Sequence, residues 1–161
     1  QKKENLIQIN ERLWNLFPDT ILESINWIPF TPFFRIANFI NNKRFANQIK
    51  KAIKRLNFKD YILFNDSDMF RSFYLKEMLN PVCDIYYTRD NMMSVAYWRK
   101  HGKTLEAELM KKSDLVCANS TYLMEIAKEE NQNSFYVGQG CDVTAFDLNG
   151  VKNIPNELGD V

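Results

Sequence analysis

Between residues 61 and 137 the apolar positions fall into a regular rhythm. Short, mainly apolar runs alternate with longer amphipathic stretches. The runs Tyr61–Asn65, Asp84–Thr88, Asp114–Ala118 and Phe135–Val137 predict strands. The stretches Phe70–Leu79, Val95–Lys112 and Thr121–Asn131 predict the helices between them. The first helix should end at Asn80-Pro81, the second should break near Gly102, and Ser120 should cap the third. Tyr61-Ile62-Leu63-Phe64 and Leu115-Val116-Cys117-Ala118 show no polar alternation, as expected of strands covered on both faces. Strand–helix–strand repetition with short links implies right-handed crossovers and a mainly parallel sheet, hence an α/β, Rossmann-like, three-layer domain.

The first 57 residues are less regular. Leu6–Ile9 and Leu13–Phe17 are short alternating or apolar stretches, with Asn10-Glu11 as a break between them. Trp27-Ile28-Pro29-Phe30-Thr31-Pro32-Phe33-Phe34 carries two prolines, which remove backbone donors, so it reads as an aromatic loop. That loop leads into a helix from about Phe34 to Ile40. A second, amphipathic helix is expected from Lys43 to Asn57. Phe45, Ile49, Ala52, Ile53 and Leu56 recur at helical spacing on it, and Lys43, Arg44, Lys50, Lys51, Lys54 and Arg55 fill the opposite side. Such a side is either an ordinary solvated face or, with the aromatic loop nearby, a contact with an anionic membrane surface.

Composition narrows the chemistry. The chain has 161 residues, 21 Lys+Arg against 20 Asp+Glu, and a formal net charge of +1. So even a balance produces no long-range field and gives no reason to expect a nucleic-acid partner. The 161 residues include 5 glycines, where ordinary usage would give about 11, and none precedes His101. Phosphate-binding loops need glycine for close backbone approach, so the front of the chain holds neither a P-loop nor a dinucleotide fingerprint. Gly138-Gln139-Gly140 is a lone G-x-G, with Val143 where a third glycine would fall. The three cysteines, Cys83, Cys117 and Cys141, are scattered among apolar segments and read as reduced, buried thiols of a cytoplasmic protein. With a single histidine and no C-x-x-C, no metal site is expected. His101 itself reads as a surface or capping residue. No apolar run approaches the ~20 residues of a spanning helix.

In an open parallel sheet, ligands bind beyond the carboxyl ends of the strands. Three polar clusters fall there: Asn65-Asp66-Ser67-Asp68, Thr88-Arg89-Asp90-Asn91 and Asn119-Ser120. The turn Gly138-Gln139-Gly140-Cys141-Asp142 follows the last strand. Asp66 or Ser67 can equally cap the next helix, and Ser120 reads first as a cap. Ser120 also lacks the G-x-S-x-G setting of a hydrolase nucleophile. Asp90 lies on a loop, away from any cap, where a rigid scaffold places functional side chains.

The segments Asp84-Ile85-Tyr86-Tyr87-Thr88-Arg89-Asp90-Asn91 and Leu105-Glu106-Ala107-Glu108 through Lys112-Ser113-Asp114-Leu115-Val116-Cys117-Ala118-Asn119-Ser120-Thr121-Tyr122-Leu123 follow a known order. They are completed by Tyr136-Val137-Gly138-Gln139-Gly140-Cys141-Asp142, with Phe146 four residues later. Together they resemble the N-terminal, acceptor-side domain of GT-B glycosyltransferases of the retaining, family-four-like group. The likeness covers about Tyr61 to Phe146. Gln139 stands where that family usually has Asn, and Cys141 where it has a hydrophobic residue.

The resemblance implies half of a GT-B fold. Residues 1–146 would form the acceptor-side domain, with an opening strand before Gln1. Residues 147–161 would be a linker toward a C-terminal domain that binds the sugar nucleotide. It implies transfer of a sugar from a nucleotide-sugar to a saccharide or lipid-linked acceptor, in bacterial surface polysaccharide synthesis, at the inner membrane face. No cofactor or metal beyond the nucleotide-sugar co-substrate is implied, and a fragment without the donor domain would be inactive. Asp90 would approach the acceptor hydroxyl or the reacting centre, and Gly140 and Asp142 would shape the interdomain turn. The substrate-binding candidates are then Asn65, Asp66, Asp68, Arg89, Asn91, Ser120, Gly138, Gly140 and Asp142. A different class of function, a non-catalytic flavodoxin-like binding or receiver module, would use Asp66 and Asp68 as its acidic pocket. It would also need a lysine after a later strand end, and none is present there.

Overall fold

The computed structural model describes residues 5–140. Cys141, Asp142 and the linker expected over 147–161 lie outside the described residues. The chain opens with β1 (Leu6–Asn10) and β2 (Leu13–Leu16), followed by α1 (Thr31–Leu56). Then come β3 (Ile62–Asp66), α2 (Leu75–Leu79), β4 (Cys83–Thr88), a 3-10 turn at Met92–Ser94 and α3 (Ala96–Lys112). The described part ends with β5 (Leu115–Ala118), α4 (Thr121–Glu130) and β6 (Ser134–Tyr136).

The two opening stretches pair as an antiparallel hairpin, Leu6 opposite Leu16, with an irregularity between Gln8 and Asn10. The four later strands form one parallel sheet in the order β3-β4-β5-β6, flanked by helices. This is the α/β, Rossmann-like arrangement that the strand–helix rhythm predicts. Ser120 caps α4 as expected, its Oγ accepting from the Leu123 N–H at 3.2 Å.

Three local expectations are corrected. The helix starts within the proline segment instead of after it: Thr31-Pro32 opens α1, because proline at a first-turn position loses no intrahelical bond. The two helices expected over 34–40 and 43–57 are one, running through Asn41-Asn42. Asparagine is a weak helix former, yet Asn38, Asn41 and Asn42 are buried, and Asn41 and Asn42 tie the helix to its neighbours. Asn42 Nδ2 donates to the Phe70 carbonyl at 2.8 Å, and its Oδ1 accepts from the Tyr74 N–H at 2.9 Å. Asn41 exchanges two such bonds with the backbone of Glu23. The same clamp explains why 69–74 forms turns instead of a full helix, leaving only Leu75–Leu79 helical.

Gly102 does not break α3. A Cβ there would sit 2.6 Å from Met69 Sδ and 2.9 Å from Met93 Cε, so glycine serves close packing. His101, beside it, is buried, contrary to its surface reading. Its ring stacks on Phe34 at 3.9 Å between centroids, and Nε2 lies 2.9 Å from the Ile28 carbonyl.

Asn65, Tyr86, Val116 and Ser134 are paired across the sheet, so their side chains share one face. Helices α1, α3 and α4 pack on that face through Phe34, Leu105, Leu109, Met110 and Ala127 around Tyr86 and Val116. α2 joins through Leu75 and Leu79, against α1 and Leu63. Among the described residues, one helical layer lies on this face. The other face carries Ile62, Phe64, Ile85, Tyr87, Leu115, Cys117 and Phe135, all half-buried or exposed. No helix of the described residues is long and apolar enough to cross a membrane.

Candidate functional site

The carboxyl ends of β3 and β4 are built by short-range bonds that fix where the rim side chains stand. Ser67 takes a left-handed conformation, φ 54°. There both its N–H and its Oγ donate to the Tyr87 carbonyl at 2.9 Å, fastening the β3 loop to the end of β4. Asn65 closes the same loop from beneath, accepting from the Asp68 N–H at 3.1 Å and donating to its carbonyl at 3.2 Å. Asp68 Oδ1 accepts from the N–H groups of Phe70 and Arg71, and Oδ2 meets Arg71 Nε at 2.7 Å. Asn65 and Asp68 are thus occupied by the loop itself. What remains at the mouth is Arg89, whose Nε lies 3.2 Å from Asp66 Oδ1 and 3.7 Å from Asp90 Oδ2. All three side chains are largely exposed, so this triad organises charge and contributes about 1 kcal/mol or less to folding.

Two cavities open at this rim, and Asp90 lines both. The first, about 540 Å³, lies between the 22–26 segment, the start of α1 and the β3 and β4 loops. Phe34, Phe70 and Trp98 line it, the last two stacked at 5.6 Å. Asn26, Asn38 and Asn41 supply amides, and Asp66, Arg89 and Asp90 reach it from the rim. Asn26 is anchored by donating to the Tyr97 carbonyl at 2.5 Å. Asn26 Oδ1 and Asn38 Nδ2 are buried without a partner. An unmet amide is costly inside a protein.

The second cavity, about 250 Å³, lies between β4, the 3-10 turn, α3 and α4. Glu106 faces it from α3, only 8% exposed, with Tyr86 Oη donating to Oε1 at 2.8 Å. Burial raises the Glu106 carboxyl above the ordinary carboxylate value, against the lowering effect of the Tyr86 bond. Burial, with Glu106 next, pushes the Tyr86 phenol well up. Asn91, Ser94 and Tyr122 surround the opening, and Asn91 Nδ2 donates to Tyr122 Oη at 3.4 Å.

The structure therefore gathers Asp66, Asp68, Arg89 and Asp90 at the first cavity, and Asp90 with Asn91 at the second. Ser120, Gly138 and Gly140 stand further along the strand ends and line neither cavity. Ser120 acts as a cap, and Gly138 takes φ 72°, a value that suits glycine. Among the described residues, no three His, Cys, Asp or Glu side chains converge as metal ligands.

Trp98, Asn26 and Asn38 are site residues that rim position alone does not find, because they come from helices and a distant loop, whereas Phe70 follows the β3 rim cluster in the 69–74 turns. Asn26 and Tyr97 are 71 residues apart in sequence. For Asn26 and Asn38 the advance sign is the clustering of asparagine and aromatics before residue 42, and Phe70 and Trp98 lie outside that cluster. No family model matches the chain, and no curated protein is significantly similar to it.

Proposed function

We propose that residues 5–140 form the acceptor-binding side of a sugar-nucleotide-dependent glycosyltransferase. The observation that carries this reading is the larger cavity: stacked aromatics, buried amides and a carboxylate–guanidinium mouth at the carboxyl ends of β3 and β4. Aromatic faces cover the C–H faces of sugar rings, while amides and carboxylates exchange hydrogen bonds with hydroxyls. Saccharides are therefore the ligand class this lining suits. Arg89 holds Asp66 close and Asp90 at longer range. Asp90 is thus the rim carboxylate freest to orient an acceptor hydroxyl. Its role is contact and positioning. In the family that the segment order resembles, a second domain grips the donor diphosphate, and retaining transfer leans on that phosphate.

The test uses a protein extended past Val161, assayed with UDP- and GDP-sugars and a panel of saccharide and lipid-linked acceptors. Asp90→Asn is expected to lower kcat/KM at least tenfold, and Trp98→Ala to raise the acceptor KM. Turnover by the 161-residue chain alone would contradict the assignment of the donor site elsewhere.

Peripheral membrane contact has its own support. Trp27, Phe30, Phe33 and Ile36 are 74%, 65%, 63% and 61% exposed, immediately before the basic half of α1. Lys43, Arg44, Lys50, Lys51, Lys54 and Arg55 are all exposed there. Apolar anchors beside basic residues suit an anionic lipid surface, as an enzyme with a lipid-linked acceptor on the inner face of a bacterial membrane would need. Sedimentation with vesicles containing anionic lipid, but not with neutral vesicles, is the expected result.

A further inference from the structure

We propose that the smaller cavity binds a protonated primary amine, with Glu106 as its counter-ion. The proposal stands apart from the glycosyl-transfer reading, since it concerns a different cavity and needs no donor.

Three observations converge. Glu106 is buried, and Tyr86 Oη is its hydrogen-bond partner, bound to Oε1. Among the described residues, no lysine, arginine or histidine lines the cavity it faces, while a second carboxylate, Asp90, stands at the opening. Arg89 lies 3.7 Å from Asp90 but is not part of the lining, so the inner charge is left to Glu106. A buried carboxylate without a cation is costly, and the cost falls when a cation enters and pairs with it. A neutral hydroxyl would leave the charge uncompensated, and an anion would be repelled.

The remaining lining fits an ammonium on a small carbon frame. Ser94 and Tyr122 offer acceptor oxygens, and Met93 and Met110 are adaptable apolar walls. At about 250 Å³ the space falls just below the ~300–1,000 Å³ of sites for drug-sized ligands. An amino sugar or a small aliphatic amine is the matching size class. The groups facing Glu106 are Tyr86 from β4, Asp90 from the following loop and Tyr122 from α4.

The test titrates the 161-residue chain, with its methionine methyls isotope-labelled, with D-glucosamine, D-glucose and D-glucuronate near neutral pH. Glucosamine should shift the Met93 and Met110 methyl resonances saturably, at least tenfold more tightly than glucose, with glucuronate weakest. Glu106→Gln keeps an acceptor for Tyr86 and removes the charge, so it should bring glucosamine down to the affinity of glucose. Should that variant not fold, raising the pH until the amine of glucosamine is neutral must weaken its binding to the unaltered chain to the same extent. Equal affinity for glucose and glucosamine, unchanged binding by Glu106→Gln, no loss with amine deprotonation, or no saturable shift would each overturn the proposal.

Discussion

Both faces of the parallel sheet carry large apolar side chains, and those side chains are opposite in fate. Tyr86 and Val116 on one face are fully buried, while Ile62 and Phe64 on the other are 59% and 57% exposed. The difference comes from handedness. Each crossover from β3 to β4, β5 and β6 steps to the next strand in the same direction, so right-handed connections place every intervening helix on the same side. Strand composition therefore says that a strand is apolar, and the strand order says which of its residues are covered.

The sharpest way to probe this contrast is Tyr86→Ala. It empties the centre of the main cluster and strips Glu106 of its hydrogen-bond donor. Removing a large buried aromatic costs about 3–5 kcal/mol. Urea denaturation should show a midpoint lowered accordingly, and a loss under about 1 kcal/mol would mean that this face is not the core.

Next in size is Asn42→Ala. It leaves the Phe70 carbonyl and the Tyr74 N–H unmet where α1 crosses the 69–74 turns, a loss of about 1–3 kcal/mol. Hydrogen exchange of the Tyr74 amide should speed up more than exchange in β5. A uniform change across the chain would contradict the local clamp.

The clamp also marks how far the sequence could be read. Periodicity located β3, β4, β5, β6 and α4 because their apolar residues are contiguous or helically spaced, a local property. Asp66, Arg89 and Asp90 were legible for the same reason, since the end of a strand is visible in the chain. The continuity of α1 was not, because Asn41 and Asn42 look like helix breakers until their long-range partners are known. Gly102 and His101 misled similarly: a glycine chosen for two methionines and a histidine stacked on Phe34 are facts of tertiary contact. Glu106 was visible only as one acid of a helix, and its burial follows from the same one-sided stacking of helices.

Glu106→Gln separates the covered face from the open one by charge. Burial raises the Glu106 carboxyl above its unfolded value of 4.5, so the folded state disfavours the ionised form. The unaltered protein thus gains stability as the pH falls through that raised value toward 4.5, and the variant should lack this gain. Glu108, held down by Arg35, and Asp114, held down by Lys76, act in the opposite sense below their unfolded values of 4.5 and 3.8. Their stabilisation is present above those values and is lost as the pH falls through the lowered ones. Asp84 is raised by burial like Glu106, and subtracting the two denaturation series cancels it. At neutral pH the variant should be more stable by about 1 kcal/mol, since a buried charge without a cation is removed and the Tyr86 bond is kept. A less stable variant at pH 7 would mean that Glu106 has found a cation.

The smallest expected effect lies on the open face. Phe64 is more than half exposed on β3, an edge strand among the described residues, and its ring lies 5.8 Å from that of Tyr87. Phe64→Thr keeps a residue suited to strands and removes the aromatic surface. Folding stability should change by no more than about 0.5 kcal/mol, the range of exposed substitutions away from special features. Because Phe64 shares its face with Ile62 and Phe135, binding of a hydrophobic dye to the folded chain should fall in the same variant. A loss of 2 kcal/mol or more, of the order found on the covered face, would show that Phe64 is packed in solution and that the two faces are less different than their exposures indicate.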